Sequence, residues 1–574
     1  MFVRIGLLTD GGYPYAAGQF GLWCERLVRG LADHEFDVYA LSRGERQERL
    51  GLVGLPPQVR RVHTAPLWTP VDDGRTYGRR ERRRFADHFG RLALGVCDER
   101  ADTFAAGLYG LAELARERDG LYAALRSETA VRALEAACRA PGARRGVRDA
   151  TVPDLLAFAG EMERALRPLS LDWYGSEGDT AAARRGRADA YGAPDTGPAL
   201  AAADVCHATT AGPAAIPGLL AKRFFGVPLL VTEYGVQLRS HYLAADGARE
   251  GAARAPVRAL LAAFHGRLAA EVYRAAQLVT HGNAHARRWQ ERCGADRASL
   301  RTVHPGMDAG RFAEVGEGDD PGDPDTLVWV GRVEPAKDLV SLLHAFAEIR
   351  RRRPGARLRI VGTAAAAGEG PAYLSHCRTL AAQLFPDEAS GAYAIGENPV
   401  SFEEVGGPEA PELPDAYAGA GVVVLSSSVE GFPAGLVEAM FCGRATVSTD
   451  VGAVVEIVGG TGLVVPPHNP KALARACLDL LADDGRRRLL GAAARSRALE
   501  LFTVEQNVAA FRAAYLEIVS HSPGRHGAPV VGAVGAPLPF ATTTEVRVPV
   551  RWAGEAARES VGAGAAAGAG SADV

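Results

Sequence analysis

MFVRIGLLTDGGYPYAAGQFGLWCERLVRGLADHEFDVYAL, residues 1–41, is the stretch that decides the fold class. Phe2–Thr9 is a short apolar run that stops at Asp10-Gly11-Gly12. Trp23, Leu27 and Leu31 then recur at i, i+4 and i+8, the spacing of one helix face. Phe36–Leu41 is a second apolar run. Strand, turn, helix, strand is a βαβ opening, and it predicts a doubly wound α/β domain.

The pattern changes outward from there. Between about 75 and 200, Phe104, Leu108, Leu111 and Ala115 keep helical spacing, Leu121, Leu125 and Leu134 suggest another helix, and strand signals are scarce. This predicts a mostly helical insertion with a polar loop near 175–198. Strands are predicted again at Pro228–Thr232, Leu278–His281 and Leu300–His304, with a helix near 256–275. The first domain is thus read as 1–308, and the Gly-, Pro- and Asp-rich stretch 309–325 as a linker. A second alternating half, 326–520, has predicted strands at Leu327–Gly331, Arg357–Val361, Gly391–Ile395, Val422–Leu425 and Ala445–Ser448. Long helical patterns follow from about 469 to 517, the final ones expected to pack back on the first domain. The tail, 521–574, loses periodicity and reads as disordered apart from a short strand at Glu545–Trp552.

Composition bounds the function. The 574 residues allow two large domains or about four small ones. Net charge is −3, with 47% hydrophobic and 23% charged residues, which argues against a nucleic-acid coat or polyanion binder. Of 65 basic residues only Lys222, Lys337 and Lys471 are lysines, so each lysine merits inspection in an arginine-skewed chain. The eight cysteines form no CxxC pair and several sit in apolar runs, the pattern of reduced thiols in a cytoplasmic protein. The start lacks the parts of a secretion signal, and no run of 18 apolar residues would span a membrane.

Two segments carry chemistry. In 422–456, VVVLSSSVEGFPAGLVEAMFCGRATVSTDVGAVVE, an apolar strand ends in three serines, then Glu430-Gly431-Phe432-Pro433 opens a helix with proline in its first turn. A helix start offers backbone N–H groups and a positive dipole end, a seat for phosphate. Glu438 lies about 9 Å along that helix. Ionised carboxylates only accept hydrogen bonds, so two of them flanking a phosphate seat suit a ligand with an anionic centre and hydroxyl-rich ends. A nucleotide sugar has that shape. The spacing alone is uninformative; its place at a strand-to-helix turn gives it weight, because ligands of such folds bind at the carboxyl ends of strands. The second segment, Gly331-Arg332-Val333-Glu334-Pro335-Ala336-Lys337-Asp338, follows a strand and places a guanidinium fork and an ammonium within reach of a phosphate.

With these residues in view, the second half resembles the donor domain of retaining glycosyltransferases of family 4. The matching pieces are 331–338, Glu430-x7-Glu438, and VSTDVGAVVEIV with GLVVPPHNPKALA. In the first half, residues 1–31, DVCHATTAG and VPLLVTEYGVQLRSHYL resemble the glycosyltransferase branch that polymerises the Pel exopolysaccharide, the PelF-like branch. The resemblance implies the GT-B fold: two Rossmann-like domains facing a cleft. It implies that Arg332 and Lys337 neutralise the donor diphosphate. Glu430 would contact donor-sugar hydroxyls and Glu438 the ribose. Gly331, Gly431, Phe432 and Pro433 would bring backbone close to the donor, and Gly11, Gly12 and Gly18 would approach the phosphates from the other side of the cleft. It implies front-face attack with retention, no metal and no cofactor. The partners it implies are a nucleotide-sugar donor, UDP by preference, a polysaccharide or glycoconjugate acceptor and membrane-associated polysaccharide synthesis machinery at the inner membrane face, with no nucleic acid. The sequence departs from that branch at Thr232-Glu233-Tyr234-Gly235, where the branch has histidine at the third position, and at Gly18-Gln19, where a Gly-Gly pair is common. His207, Glu233, Tyr234 and His241 are therefore expected on the acceptor or sugar side.

Other signals are weaker. Asp323-Pro324-Asp325 matches a DxD metal motif but reads as solvated linker. The histidines lack paired metal-ligand spacing. Arg75–Arg84 holds six arginines and reads as a solvated helix face, with anionic lipid as the alternative. Two competing functions remain: a nucleotide-sugar 2-epimerase of the same fold, and a catalytically silent sugar-nucleotide-binding scaffold.

Overall fold

The computed structural model describes residues 2–15, 19–70, 72–98, 102–171, 173, 200–236, 238–239, 254–318, 320, 322–364, 370–386 and 398–522. Two parallel sheets organise them. The first has β1 (Arg4–Asp10), β2 (Glu35–Ser42), β3 (Val59–Pro66), β4 (Val205–Ala208), β5 (Leu229–Thr232), β6 (Leu278–His281) and β7 (Leu300–Thr302), in the order β3-β2-β1-β4-β5-β6-β7. The second has β8 (Asp323–Val330), β9 (Arg357–Val361), β10 (Val400–Glu403), β11 (Ala420–Leu425), β12 (Ala445–Thr449) and β13 (Leu463–Val465), in the order β10-β9-β8-β11-β12-β13. Strand order reverses between β1 and β4 and again between β8 and β11. Each reversal leaves a crevice at the carboxyl ends of the strands, where α/β sheets bind ligands.

Both faces of each sheet are covered, which explains the near-continuous apolar strands. Along β1 the side chains alternate. Leu8 joins one core with Phe89, Leu111, Phe158 and Phe264, while Ile5 and Leu7 join another with Trp23, Leu27, Phe511 and Tyr515. The first of these cores absorbs the helical insertion. Its helices, among them Arg79–Cys97, Phe104–Glu117, Glu128–Arg139 and Val152–Leu166, share one buried cluster with the sheet and with the helix Ala255–Ala275. The insertion is therefore part of the first domain's core and not an appended module.

The last helix, Val504–Ser520, leaves the second sheet and packs on the first. It is pinned by buried polar contacts. Tyr515 Oη lies 2.6 Å from His207 Nδ1, and His207 Nε2 lies 2.7 Å from Thr232 Oγ1. Trp23 Nε1 donates to Asn507 Oδ1 at 3.1 Å, and Asn507 Nδ2 donates to Tyr234 Oη at 3.0 Å and to the His304 carbonyl at 2.6 Å.

Several sequence expectations need correction. Strand β8 begins at Asp323, inside the stretch read as linker, and pairs with Ala420. The Asp323 carboxylate accepts from the Asp325 amide at 3.0 Å and from Thr326 Oγ1 at 2.6 Å, so it shapes the strand start. Strands β3, β4, β10 and β13 were not expected. Three are very short, and β3 carries Arg60, Arg61 and His63, which mask its apolar signal. The strands expected at Gly391–Ile395 and Glu545–Trp552 lie outside the described residues, as does nearly all of the tail. All eight cysteines are free and buried, and no helix among the described residues is long and apolar enough to cross a membrane.

Burial lowers the His207 pKa to about 3, so the ring is neutral in the fold. An unfolded histidine titrates near 6.5. The unfolded chain therefore takes up a proton that the folded chain refuses, and this contribution to stability is lost as pH falls from about 6.5 toward about 3. Tyr515→Phe keeps the ring but strips His207 Nδ1 of its partner. It is expected to cost about 1–3 kcal/mol, read as a lowered urea midpoint. An unchanged midpoint would contradict this account of the helix anchor.

Candidate functional site

The β8/β11 crevice holds the strongest cluster. Three consecutive serines after β11 fasten the loop that follows β8. Ser426 Oγ donates to the Lys337 carbonyl at 2.8 Å. Ser428 donates to the Ala336 carbonyl from its amide at 2.9 Å and from Oγ at 3.2 Å. Between them, Ser427 Oγ donates to Glu430 Oε2 at 3.0 Å. With the two loops joined, Lys337 Nζ reaches Glu430 Oε2 at 2.6 Å, across 93 residues of sequence. Both side chains are largely buried, at 18% and 12% exposure. Asp338 closes the turn with φ +46° and caps the following helix, Leu339–Arg352, by accepting from the Ser341 amide at 3.1 Å. His468 Nδ1 lies 3.1 Å from its other oxygen.

Backbone shape completes this wall. Gly452 has φ +60°, and a Cβ there would sit 2.3 Å from the Glu430 carbonyl, so only glycine lets the loop after β12 press against Glu430. A Cβ on Gly431 would meet nothing within 4 Å, so the protein itself leaves open space there. Phe432 is half-buried and packs on Phe502, and Pro433 caps the helix Ala434–Phe441, which no side chain caps. Arg332 is exposed, and no hydrogen bond from its side chain is found among the described residues. Gly331 donates its amide to the Val361 carbonyl at 3.1 Å, which holds the loop to β9.

Glu438 lies one turn into that helix. Tyr417 Oη, on the helix Leu413–Ala418, sits 2.7 Å from its Oε2. Burial raises the Glu438 pKa above the usual carboxylate value, opposed by the Tyr417 hydrogen bond and by Arg311 and Arg26. Arg26 belongs to the first domain, on the helix Gln19–Gly30, so both domains bear on this carboxylate. A second interdomain contact comes from Arg239, which donates to the Glu430 carbonyl at 3.2 Å. A third is the Glu456 carboxylate, which accepts from the Ala284 amide at 2.6 Å, at the start of the helix Ala284–Arg292.

The β1/β4 crevice lies in the first domain. Gly11 has φ +66° and a Cβ there would strike the Arg43 side chain, so the Gly11-Gly12 turn lies flat against that arginine. Both glycines line a cavity of about 790 Å³.

Glu430, Lys337, Gly331, Gly431, Phe432 and Pro433 thus come together, with Arg332 on the same loop as Lys337 and Glu438 one turn along the helix that Pro433 opens. Gly18 and His241 lie outside the described residues. Three expected sugar-side residues must be corrected. His207 is fully buried with both ring nitrogens occupied, so it cannot touch a ligand. Glu233 is 1% exposed and turned inward, accepting from the Tyr273 hydroxyl and, at 3.5 Å, from the Ala211 amide. Tyr234 spends its hydroxyl on Asn507 and stacks edge-on with Trp23, ring centroids 5.3 Å apart. Arg239, Tyr417 and the serine clamp were missed. Arg239 sits five residues after Tyr234 in a segment already noted, and the three serines already stood out at the end of a strand.

Comparison with known proteins shows what the two domains resemble. Residues 324–483 match the family model described as glycosyl transferases group 1. Residues 3–153 and 197–298 match a domain of unknown function (DUF3492). The chain is similar to the D-inositol 3-phosphate glycosyltransferase of Kineococcus radiotolerans, 32% identical over 242 residues, covering 39% of this chain and 53% of that protein. The protein of the same description from Streptomyces bingchenggensis is 32% identical over 240 residues, covering 39% and 49%. The chain spans about half the length of these curated relatives. Among solved structures, sucrose-phosphate synthase from Thermosynechococcus elongatus matches with a TM-score of 0.52 at 18% identity, covering 91% of this chain and 100% of that one. The fold is therefore the two-domain GT-B fold, and the match to the glycosyl transferases group 1 model lies in its second domain.

A raised carboxyl pKa means the fold favours the protonated form. Ionised Glu438 costs stability above its folded pKa, and the cost vanishes as pH falls through that value. Glu438→Gln, which keeps the Tyr417 hydrogen bond without the charge, is expected to raise the melting temperature of the unliganded protein at neutral pH. The gain should shrink in acid. A lowered melting temperature at neutral pH would show that the charge stabilises the fold.

Proposed function

We propose that this protein is a retaining glycosyltransferase that moves a sugar from a UDP-sugar to a hydroxyl of a polysaccharide or glycoconjugate. The observation that carries the reading is the serine-clamped Lys337–Glu430 pair at the β8/β11 switch point of a group 1 glycosyltransferase domain. Lys337 and Arg332 would take the diphosphate, where positive charge stabilises the leaving group as its negative charge develops. Glu430, held beside Lys337, would accept from donor-sugar hydroxyls. Glu438 would accept from the ribose diol, and Gly431 would leave room for the sugar. Gly11 and Gly12 would close on the phosphates from the first domain.

In the transfer step, the acceptor oxygen bonds to the anomeric carbon as the carbon–phosphate oxygen bond breaks on the same face. The acceptor proton passes to the departing phosphate oxygen. Glu430 is already held by Lys337 and Ser427, which favours this route over one using a free carboxylate nucleophile. No cofactor is assigned, because the two cations supply the neutralisation a metal would. A place beside membrane-bound polysaccharide machinery, as in the PelF-like branch, fits such an acceptor.

A thermal-shift panel of UDP-, GDP- and ADP-sugars tests the donor assignment; ligand at about 100 times its Kd adds roughly 2.7 kcal/mol. UDP-sugars are expected to give the largest shift, and Lys337→Ala and Glu438→Ala to abolish transfer, with a chelator having no effect. Wild-type turnover in both variants would refute the assignment. Release of an epimer without acceptor would mark an epimerase, and binding without turnover across the panel a silent scaffold.

A further inference from the structure

We propose that Tyr417 is a positioning residue for the nucleotide. It ties down one oxygen of the Glu438 carboxylate so that the other receives the ribose diol, and it thereby sets a preference for a ribonucleotide over a deoxyribonucleotide. The proposal rests on the glycosyltransferase reading above, in which Glu438 accepts from the ribose, and names a residue to which that reading gives no role.

Tyr417 does not meet solvent. It is fully buried on the short helix Leu413–Ala418, with its ring edge-on to Phe312 at 6.2 Å between centroids. That helix is held at both ends. At its start the Glu412 amide donates to Asp415 Oδ2 at 2.8 Å. At its end the buried Arg444 donates from Nη2 to the Ala418 carbonyl at 2.8 Å and from Nη1 to the Asp320 carbonyl at 2.9 Å. Gly435, on the helix that carries Glu438, leaves room for the phenol. A Cβ there would stand 3.5 Å from Tyr417 Oη and 3.3 Å from the Val330 carbonyl.

The single phenolic proton has two acceptors in range. The Gly435 carbonyl lies at 3.2 Å and Glu438 Oε2 at 2.7 Å. The carboxylate is the nearer and, when ionised, the stronger acceptor, so the proton points to it. Oε2 is thereby engaged, while no hydrogen bond to Oε1 is found among the described residues. Glu438 is only half-buried, so a ligand can reach that oxygen. A glutamate left to turn about its torsions would have to be ordered by the ligand, at a cost in affinity. The phenol orders it beforehand.

Tyr417 also bears on charge. An ionised carboxylate is acceptor-only, which suits a diol that donates two hydrogen bonds. Burial opposes ionisation of Glu438. The Tyr417 hydrogen bond favours it, as do Arg311, on the turn Gly310–Phe312, and Arg26 from the first domain. Cys442, at the end of the Glu438 helix, has its thiol pushed up to about 12 by burial and adds no charge near neutrality. Burial, followed by the Glu438 charge, raises the Tyr417 phenol well above its usual value, so it remains a donor.

The test measures binding of UDP and of 2′,3′-dideoxy-UDP to the full-length protein by titration calorimetry, from neutral to mildly acid pH. Tyr417→Phe keeps the ring and its packing and removes only the hydroxyl. The wild type is expected to bind UDP about tenfold or more tightly than the dideoxy form. Tyr417→Phe is expected to weaken UDP about fivefold or more and to leave the dideoxy form as in the wild type. Its deficit for UDP is expected to widen as pH falls, because Glu438 without the phenol takes up its proton at a higher pH. Both proteins meet the same nucleotide, so titration of the nucleotide's phosphate cancels in the ratio. If Tyr417→Phe does not fold, 3-fluorotyrosine at position 417, a stronger donor on the same ring, takes its place and is expected to tighten UDP alone. Equal change for both nucleotides, the mark of a structural role only, or an unchanged UDP affinity would overturn the proposal. Equal binding of the two nucleotides by the wild type would overturn it through the ribose role of Glu438. No binding of UDP by the wild type would defeat the donor reading itself, and the proposal with it.

Discussion

The contact between Lys337 and Glu430 is the constraint on which the rest of the site depends, and neither residue sets it alone. Serine side chains at the end of β11 grip the carbonyls of Ala336 and Lys337, and this fixes where the β8 loop can lie. A lysine amine has four carbons of freedom, and its position becomes definite only because its own backbone is tied. Gly452 then presses on the Glu430 backbone from the β12 side, so the residue is held between the loops that follow β8, β11 and β12. The pair forms with hydrogen bonds satisfying the buried carboxylate, the condition under which a largely buried ion pair is tolerated.

The same economy recurs between the domains. The last helix carries Asn507 and Tyr515 back to the first sheet, where Asn507 bonds Trp23 and Tyr234 and Tyr515 bonds His207 in two buried polar clusters. Histidine and tyrosine at those two positions look like chemistry in the sequence and serve as fasteners in the fold. Contacts that face the crevices are fewer and thinner: Arg239 to the Glu430 carbonyl, and Glu456 at the start of the helix Ala284–Arg292. A firm anchor behind and light contacts in front suit two domains that must separate to admit a donor.

Much of the architecture was legible in the sequence because buried parallel strands are continuous apolar runs. Phe36–Leu41 and Leu278–His281 announce themselves in that way. The strand Val59–Pro66 did not, since an edge strand tolerates arginine and histidine, and Val205–Ala208 is too short to show a period. In the site, the residue types were legible: the isolated lysine of an arginine-rich chain, and a glutamate at a strand-to-helix turn. Their meeting was not, because it spans 93 residues and depends on serine hydrogen bonds that carry no pattern. His207 was misread because a sequence cannot say whether both ring nitrogens are already occupied. The contact of Tyr417 with Glu438 was equally hidden, since the two stand 21 residues apart on separate helices.

Hydrogen–deuterium exchange of the full-length protein, with and without saturating UDP-glucose, tests the central claim most directly. The account predicts slowed exchange in the clamped loops 331–338 and 426–438 and in the turn 10–15 across the cleft, with the helix 504–520 unchanged. Protection confined to other segments, or none in the clamped loops while the donor is bound, would contradict it.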